Sequence, residues 1–183
     1  DIEFDQRFFD FIQEYKHLVK SKDINMISGS NFFTTKQSIL ISYPLIWGWY
    51  TDKENWKLFK KCIFSKTFGY KIDQKLSVSG FWIAASIRAR FGFLDSWAAP
   101  LAASFHSRKL KCLIPSMNLT INIGNDDVAT HTRNLELNHY KSAGYYEKLN
   151  NNIIDKQFEK LIEKNFYRIK LRHTLTPLKA LFE

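Results

Sequence analysis

Ile24-Asn25-Met26-Ile27-Ser28-Gly29-Ser30-Asn31 is a short apolar run that stops at a turn-forming Gly-Ser-Asn, the pattern of a brief buried strand feeding a loop. Ahead of it, Phe4, Phe8, Phe11, Ile12 and Tyr15 recur at helical spacing, and Asp5 is placed to cap the helix that carries them. Helix and buried strand in succession open an α/β chain. Downstream, Ile39 to Trp49 is a second apolar run broken by Pro44, read as a strand followed by a loop. Thr51 to Lys61 and Ser79 to Phe93 are expected to be helices, the latter ending near Gly92. Ser96 to Ser107 is Ala-rich and can be helical if Pro100 falls in the first turn, where a missing N–H costs nothing, with Asp95 at or next to its start.

Leu113 to Ile123 alternates loosely as one strand and ends at Gly124 in the polar turn Asn125-Asp126-Asp127, just before Thr130-His131-Thr132. Past Arg133 the chain is polar to Asn152. Ile154, Phe158, Leu161, Ile162, Phe166 and Ile169 then form an apolar stripe with Lys156, Lys160, Lys164, Arg168 and Lys170 outside it, a basic amphipathic helix expected over Asp155 to Lys170.

Composition narrows the functional classes. The 183 residues include 45% hydrophobic and 16% aromatic side chains, with 16 Phe, enough for one sizeable core and too apolar for a disordered chain. Only 7 Gly and 4 Pro are present, which leaves little material for linkers or a Gly-rich phosphate loop. Cys62 and Cys112, fifty residues apart, cannot make a disulfide framework or a four-thiolate zinc site, and read as buried thiols in a reducing compartment. No uncharged stretch reaches membrane-spanning length. The chain opens with Asp and no basic-then-apolar leader, and is expected to begin within a longer protein. The formal charge of +9 attracts polyanions without choosing among nucleic acid, anionic membrane and nucleotide diphosphate. No zinc-finger or RNA-recognition spacing accompanies the basic residues, so no nucleic acid partner is expected.

Several residues are candidates for chemistry from type and position alone. A carboxylate such as Asp95 at a helix start either caps the helix or is held ionised there for acid–base work. Asp126, Asp127 and His131 have spacing that suits a divalent cation as well as a solvated turn. Trp47, Trp49 and Trp97 offer flat faces that serve a core or stack on sugar rings.

Five segments, in order, resemble the GT-A-fold, nucleotide-sugar-dependent glycosyltransferases of the bacterial polysaccharide and lipopolysaccharide type. Asp1 followed by Phe8-Phe9 is similar to the end of the family's acidic triplet and its Phe-rich helix. Met26-Ile27-Ser28-Gly29-Ser30-Asn31-Phe32 resembles its I-S-G-x-N-F strand and loop, and Tyr43-Pro44-Leu45-Ile46-Trp47-Gly48-Trp49 with Trp56 its Y-P-x-x-W-G-W segment. Asp95-Ser96-Trp97-Ala98, through Ala103-Ser104-Phe105 to Pro115, resembles the D-S-W-A-x-R block, with Pro100 where the family has Arg, and Asn122-Ile123-Gly124 with Thr130-His131 resembles its N-I-G block ending in T-H. The likeness covers residues 1 to about 132.

The resemblance implies a mixed-sheet, Rossmann-like α/β fold. Residues 1–135 would be its acceptor-side half and 136–183 a basic helical extension, the nucleotide-binding strands lying ahead of Asp1. It implies sugar transfer from a nucleotide diphosphate to a hydroxyl of a glycan or glycolipid, with inversion, in surface polysaccharide synthesis. Asp95 would be the general base, Asp1 and His131 ligands of Mg²⁺ or Mn²⁺, Arg133 a contact to the donor diphosphate, and Trp47, Trp49, Trp97 and Asn31 acceptor-binding residues. A cytoplasmic enzyme touching the inner membrane face is the matching location. The competing expectation is a noncatalytic basic module that holds an anionic glycan, membrane or nucleic acid.

Overall fold

A computed structural model describes residues 2–64, 76–123 and 145–169. Contacts divide the chain into two units interleaved in sequence, one from Asp1–Ile41, Leu45–Asp52 and Cys112–Ile154, the other from Ser42–Pro44, Lys53–Lys111 and Asp155–Glu183. The domain boundary expected at 135/136 lies outside the described residues, as do Asp1, Asp126, Asp127, His131 and Arg133.

The first unit is α/β with a mixed sheet, as expected. Helix α1 (Gln6–Lys20) begins where Asp5 accepts from the Arg7 backbone N–H at 3.0 Å, and the Arg7 guanidinium returns to the same carboxylate at 2.9 and 2.7 Å. Its residues three and four apart, Phe8, Phe11, Tyr15 and Val19, are buried against Ile24, Ile27, Leu40, Leu113 and Leu119. Each such side chain contributes roughly 1.5–3 kcal/mol by leaving water. Strand β2 (Met26–Ser28) is fully buried and lies inside a five-stranded sheet with β3 (Ser38–Ile41), β4 (Trp49–Tyr50), β5 (Cys112–Ile114) and β7 (Leu149–Ile154). The order is β4-β2-β5-β3-β7, with β2–β5 and β3–β7 parallel and the other pairs antiparallel.

Two expectations change here. The single strand expected over Leu113 to Ile123 is two strands in two sheets: β5 stays in the large sheet, while β6 (Thr120–Asn122) pairs antiparallel with β1 (Ile2–Phe4). Pro115 has no N–H for the ladder, so the chain leaves β5 there and turns through Ser116 and Met117. Strand β7 runs through Leu149-Asn150-Asn151-Asn152, part of the stretch read from sequence as polar, with no strand expected there. It forms at the sheet edge because β3 supplies its hydrogen bonds and the Tyr15 hydroxyl accepts from the Leu149 N–H at 3.0 Å.

The second unit is helical. Helices α2 (Lys53–Phe64) and α3 (Leu76–Arg90) both pack on α4 (Ala98–Arg108), whose residues Ala99 through His106 are all buried. Pro100 is the third residue of α4, inside the first turn, where no intrahelical N–H is missed. The Asp155–Lys170 helix is shorter than its pattern. Ile154 belongs to β7, and α5 (Lys156–Leu161), capped by Asp155, runs into one π-helical turn over Ile162–Phe166 before the chain leaves the helix at Tyr167. The apolar period persists for only part of that span, with Phe158 and Ile162 buried.

Both cysteines are buried and free, and burial pushes the Cys112 thiol up to about 12. Among the described residues no helix is long and apolar enough to cross a membrane.

Candidate functional site

In the helical unit, α3 ends in a Schellman motif. Gly92 takes a left-handed φ of 78°, its N–H reaches the Ala89 carbonyl at 3.4 Å, and the Phe93 N–H reaches the Arg88 carbonyl at 2.9 Å. The chain then runs through Leu94, Asp95 and Ser96 to Trp97, which occupies the N-cap position of α4 and makes no side-chain cap hydrogen bond. Asp95 therefore precedes the cap by two residues, and the capping role open to it from sequence is not the one it takes. It is exposed.

The ends of α2 and α3, this connection and the first turn of α4 enclose a cleft of about 750 Å³, within the usual range for small-molecule sites. Ile63, Phe64, Phe91, Leu94, Trp97 and Pro100 give it apolar and aromatic walls, and Arg90, Asp95 and Ser96 give it polar groups. Such a lining suits a ligand with flat apolar faces and hydroxyl edges: rings stack on indole or phenyl, and a carboxylate accepts from a hydroxyl. Asp95 and Trp97, both singled out from sequence, meet here. Arg90, Phe64 and Phe91 were missed. Their segment, Arg-Phe-Gly-Phe-Leu at 90–94, read only as a helix end, since an apolar residue after a C-cap glycine ordinarily packs back on its helix.

The other candidates in the described residues lie in the α/β unit. Asn31 is 2% exposed and committed within the fold: its Nδ2 donates to the Pro115 carbonyl at 2.7 Å and to Thr35 Oγ1 at 3.3 Å, while its Oδ1 accepts from the Phe33 N–H at 2.9 Å. Trp47 packs edge-on against Phe32 with centroids 5.1 Å apart, and Trp49 pairs with Ser28 across β4 and β2; both indoles are partly exposed. Between them Gly48 has a φ of 70°, and an added Cβ would sit 2.7 Å from both Phe4 and Thr120. Gly29 is tighter still, 2.5 Å from the Thr120 methyl. The Gly29 N–H donates to the Gly48 carbonyl at 2.8 Å, and Ser30 and Thr120 hydroxyls both donate to the Trp47 carbonyl. The S-G-S and W-G-W segments thus interlock around Thr120, with glycine required where the side chains of Phe4, Phe8 and Thr120 press on the backbone.

A third group is buried in the helical unit. Glu159, 4% exposed, accepts from the Ser42 N–H at 2.6 Å and from its hydroxyl, and pairs with Lys156 at 2.7 Å. The Tyr43 hydroxyl donates to Glu163 at 2.8 Å; burial first, then that carboxylate, keep the phenol protonated far above its usual range. His106 stacks on the Tyr43 ring at 5.7 Å, is 5% exposed, and neither ring nitrogen has a hydrogen-bond partner among the described residues. Burial lowers its pKa, against a smaller opposing pull from Glu159.

Among the described residues no three His, Cys, Asp or Glu side chains gather as a metal site, and the expected ligands Asp1 and His131 are outside them. No family model, curated protein or solved structure matches the chain.

Proposed function

We propose that the chain is the acceptor-side part of a glycosyltransferase that moves a sugar from a nucleotide diphosphate to a hydroxyl of a glycan or glycolipid. The observation that carries this reading is the pairing of an exposed carboxylate, Asp95, with an exposed indole, Trp97, on the wall of one cleft. Acceptor sugars would stack on Trp97 with a hydroxyl turned to Asp95. The carboxylate takes that proton as the oxygen attacks the anomeric carbon from the face opposite the diphosphate, which inverts the configuration. Arg90 lines the same wall, ahead of the block in which the resembled family has Arg and this chain has Pro100. When bound, Mg²⁺ or Mn²⁺ screens the charge of the leaving diphosphate, and by the resemblance Asp1 and His131 are the residues that would hold it.

A polypeptide that joins residues 1–183 to the nucleotide-binding strands the resemblance places upstream tests this. Incubated with uridine or guanosine diphosphate-sugars and an oligosaccharide panel, it is expected to give a product of inverted anomeric configuration by NMR, only with Mg²⁺ or Mn²⁺. Polyanion binding without metal, steeply dependent on salt and with no transfer, would establish the basic binding module instead.

A further inference from the structure

Two aromatic side chains of the cleft wall, Phe64 and Phe91, also stand out into solvent at its rim beside Phe93. Phe64 at the end of α2 is 76% exposed, and Phe91 and Phe93, on either side of the Gly92 turn, are 65% and 60% exposed. Burying apolar rings is what folding favours, so three large ones left in water at neighbouring helix ends mark an interaction surface rather than scattered surface residues. The Schellman turn is the reason Phe91 and Phe93 project: Gly92 reverses the chain, and a Cβ there would meet nothing within 4 Å.

The charges around these rings identify the occupant. Residues 60–64 and 88–97 carry Lys60, Lys61, Arg88 and Arg90 against the single carboxylate of Asp95. Lys60 and Lys61 lie four and three residues before Phe64, on its side of α2, and Arg88 lies three before Phe91 on α3. Lys60, Lys61 and Arg88 are exposed. Projecting aromatic rings ringed by cations match an anionic lipid surface, where phenyl groups enter the boundary between headgroups and acyl chains while Lys and Arg stay with the phosphates.

We propose that the rim formed by Phe64, Phe91 and Phe93 with Lys60, Lys61 and Arg88 seats the protein on an anionic membrane surface. This contact shares Phe64 and Phe91 with the cleft but does not rest on sugar transfer, and it differs from one through the basic segment after Asp155, where Phe158 and Ile162 are already buried in the fold.

Sedimentation of the 183-residue chain with phosphatidylcholine vesicles, with and without 30% phosphatidylserine, tests it without any nucleotide sugar. Binding is expected only with the anionic lipid and should weaken from 50 to 300 mM salt. Phe91→Ser with Phe93→Ser should reduce partitioning by about tenfold or more, and Lys60→Glu with Lys61→Glu, on a different helix, by a similar factor. Lys160→Glu with Lys164→Glu, exposed on the other basic segment, should stay within about twofold of the parent. Equal binding to both vesicle types, or loss only in the Lys160 and Lys164 pair, overturns the proposal. So does concentration-dependent dimerisation, by analytical ultracentrifugation, that the Phe91 and Phe93 pair abolishes, since a second copy would then be the occupant.

Discussion

The Gly29–Gly48–Thr120 interlock and the Asp95 cleft are built from segments of equal interest in the sequence, yet they differ in every physical respect. In the first, Ser28, Ser30, Asn31 and Thr120 are buried, each polar group has a partner, and two glycines leave room for the side chains of Phe4, Phe8 and Thr120. In the second, a carboxylate and an indole stand exposed beside aromatic side chains. The lesson is that short motifs rich in Trp, Gly, Ser and Asn can be architecture, and that exposed polar and aromatic surface, rather than motif density, marks where chemistry can occur.

The largest effect that could break this contrast is expected at Gly48. Gly48→Ala must hold an L-residue at a φ of 70° and press a methyl against Phe4 and Thr120, and should lower stability by about 3 kcal/mol in urea unfolding. A loss under about 1 kcal/mol would show that the interlock is loose. Asp95→Asn addresses the opposite pole, in the longer polypeptide that holds the upstream strands. Asn keeps the shape but cannot take the proton, so turnover should drop about 10²-fold while the melting temperature is unchanged. Turnover near that of the parent would remove the general-base role.

His106 is intermediate between the two regions, being buried like the first and without hydrogen-bond partners among the described residues. Its folded pKa lies below its ordinary value near 6.5, so the unfolded chain binds the proton first as pH falls, and stability is lost below about pH 6.5. Between pH 7.5 and 5.5 the parent should lose more stability than His106→Phe, which keeps a ring against Tyr43 but cannot be protonated. Parallel stability–pH curves for the two would contradict this. The smallest effect is expected at Gly92, where Ala meets no neighbour and only the positive φ costs, about 1 kcal/mol by thermal melting. A cost near that at Gly48 would mean that the cleft rim is packed as tightly as the interlock.

Local periodicity was enough to read α1 with its Asp5 cap, strand β2, the end of α3 at Gly92 and the start of α4 around Pro100, because each depends on spacing and capping chemistry within a few residues. It failed where a distant strand supplied the hydrogen bonds. Leu149–Ile154 forms a strand on β3, and the expected single strand after Cys112 divides at Pro115 between two sheets.

The same division holds for the candidate site. The sequence offered Asp95 as a cap or an acid–base group and Trp97 as a core or stacking indole, and the resemblance placed both in one block. Only tertiary structure decided that Trp97 takes the cap position while Asp95 stays exposed, that Arg90, Phe64 and Phe91 join them, and that Asn31 spends its amide on Pro115, Thr35 and Phe33. Glu159 was not singled out from sequence, and Ser42, more than a hundred residues earlier, holds it in the interior. Spacing along the chain determines which face of an element is apolar; whether a polar group on the other face meets water or a partner depends on what packs there, and that information is not local.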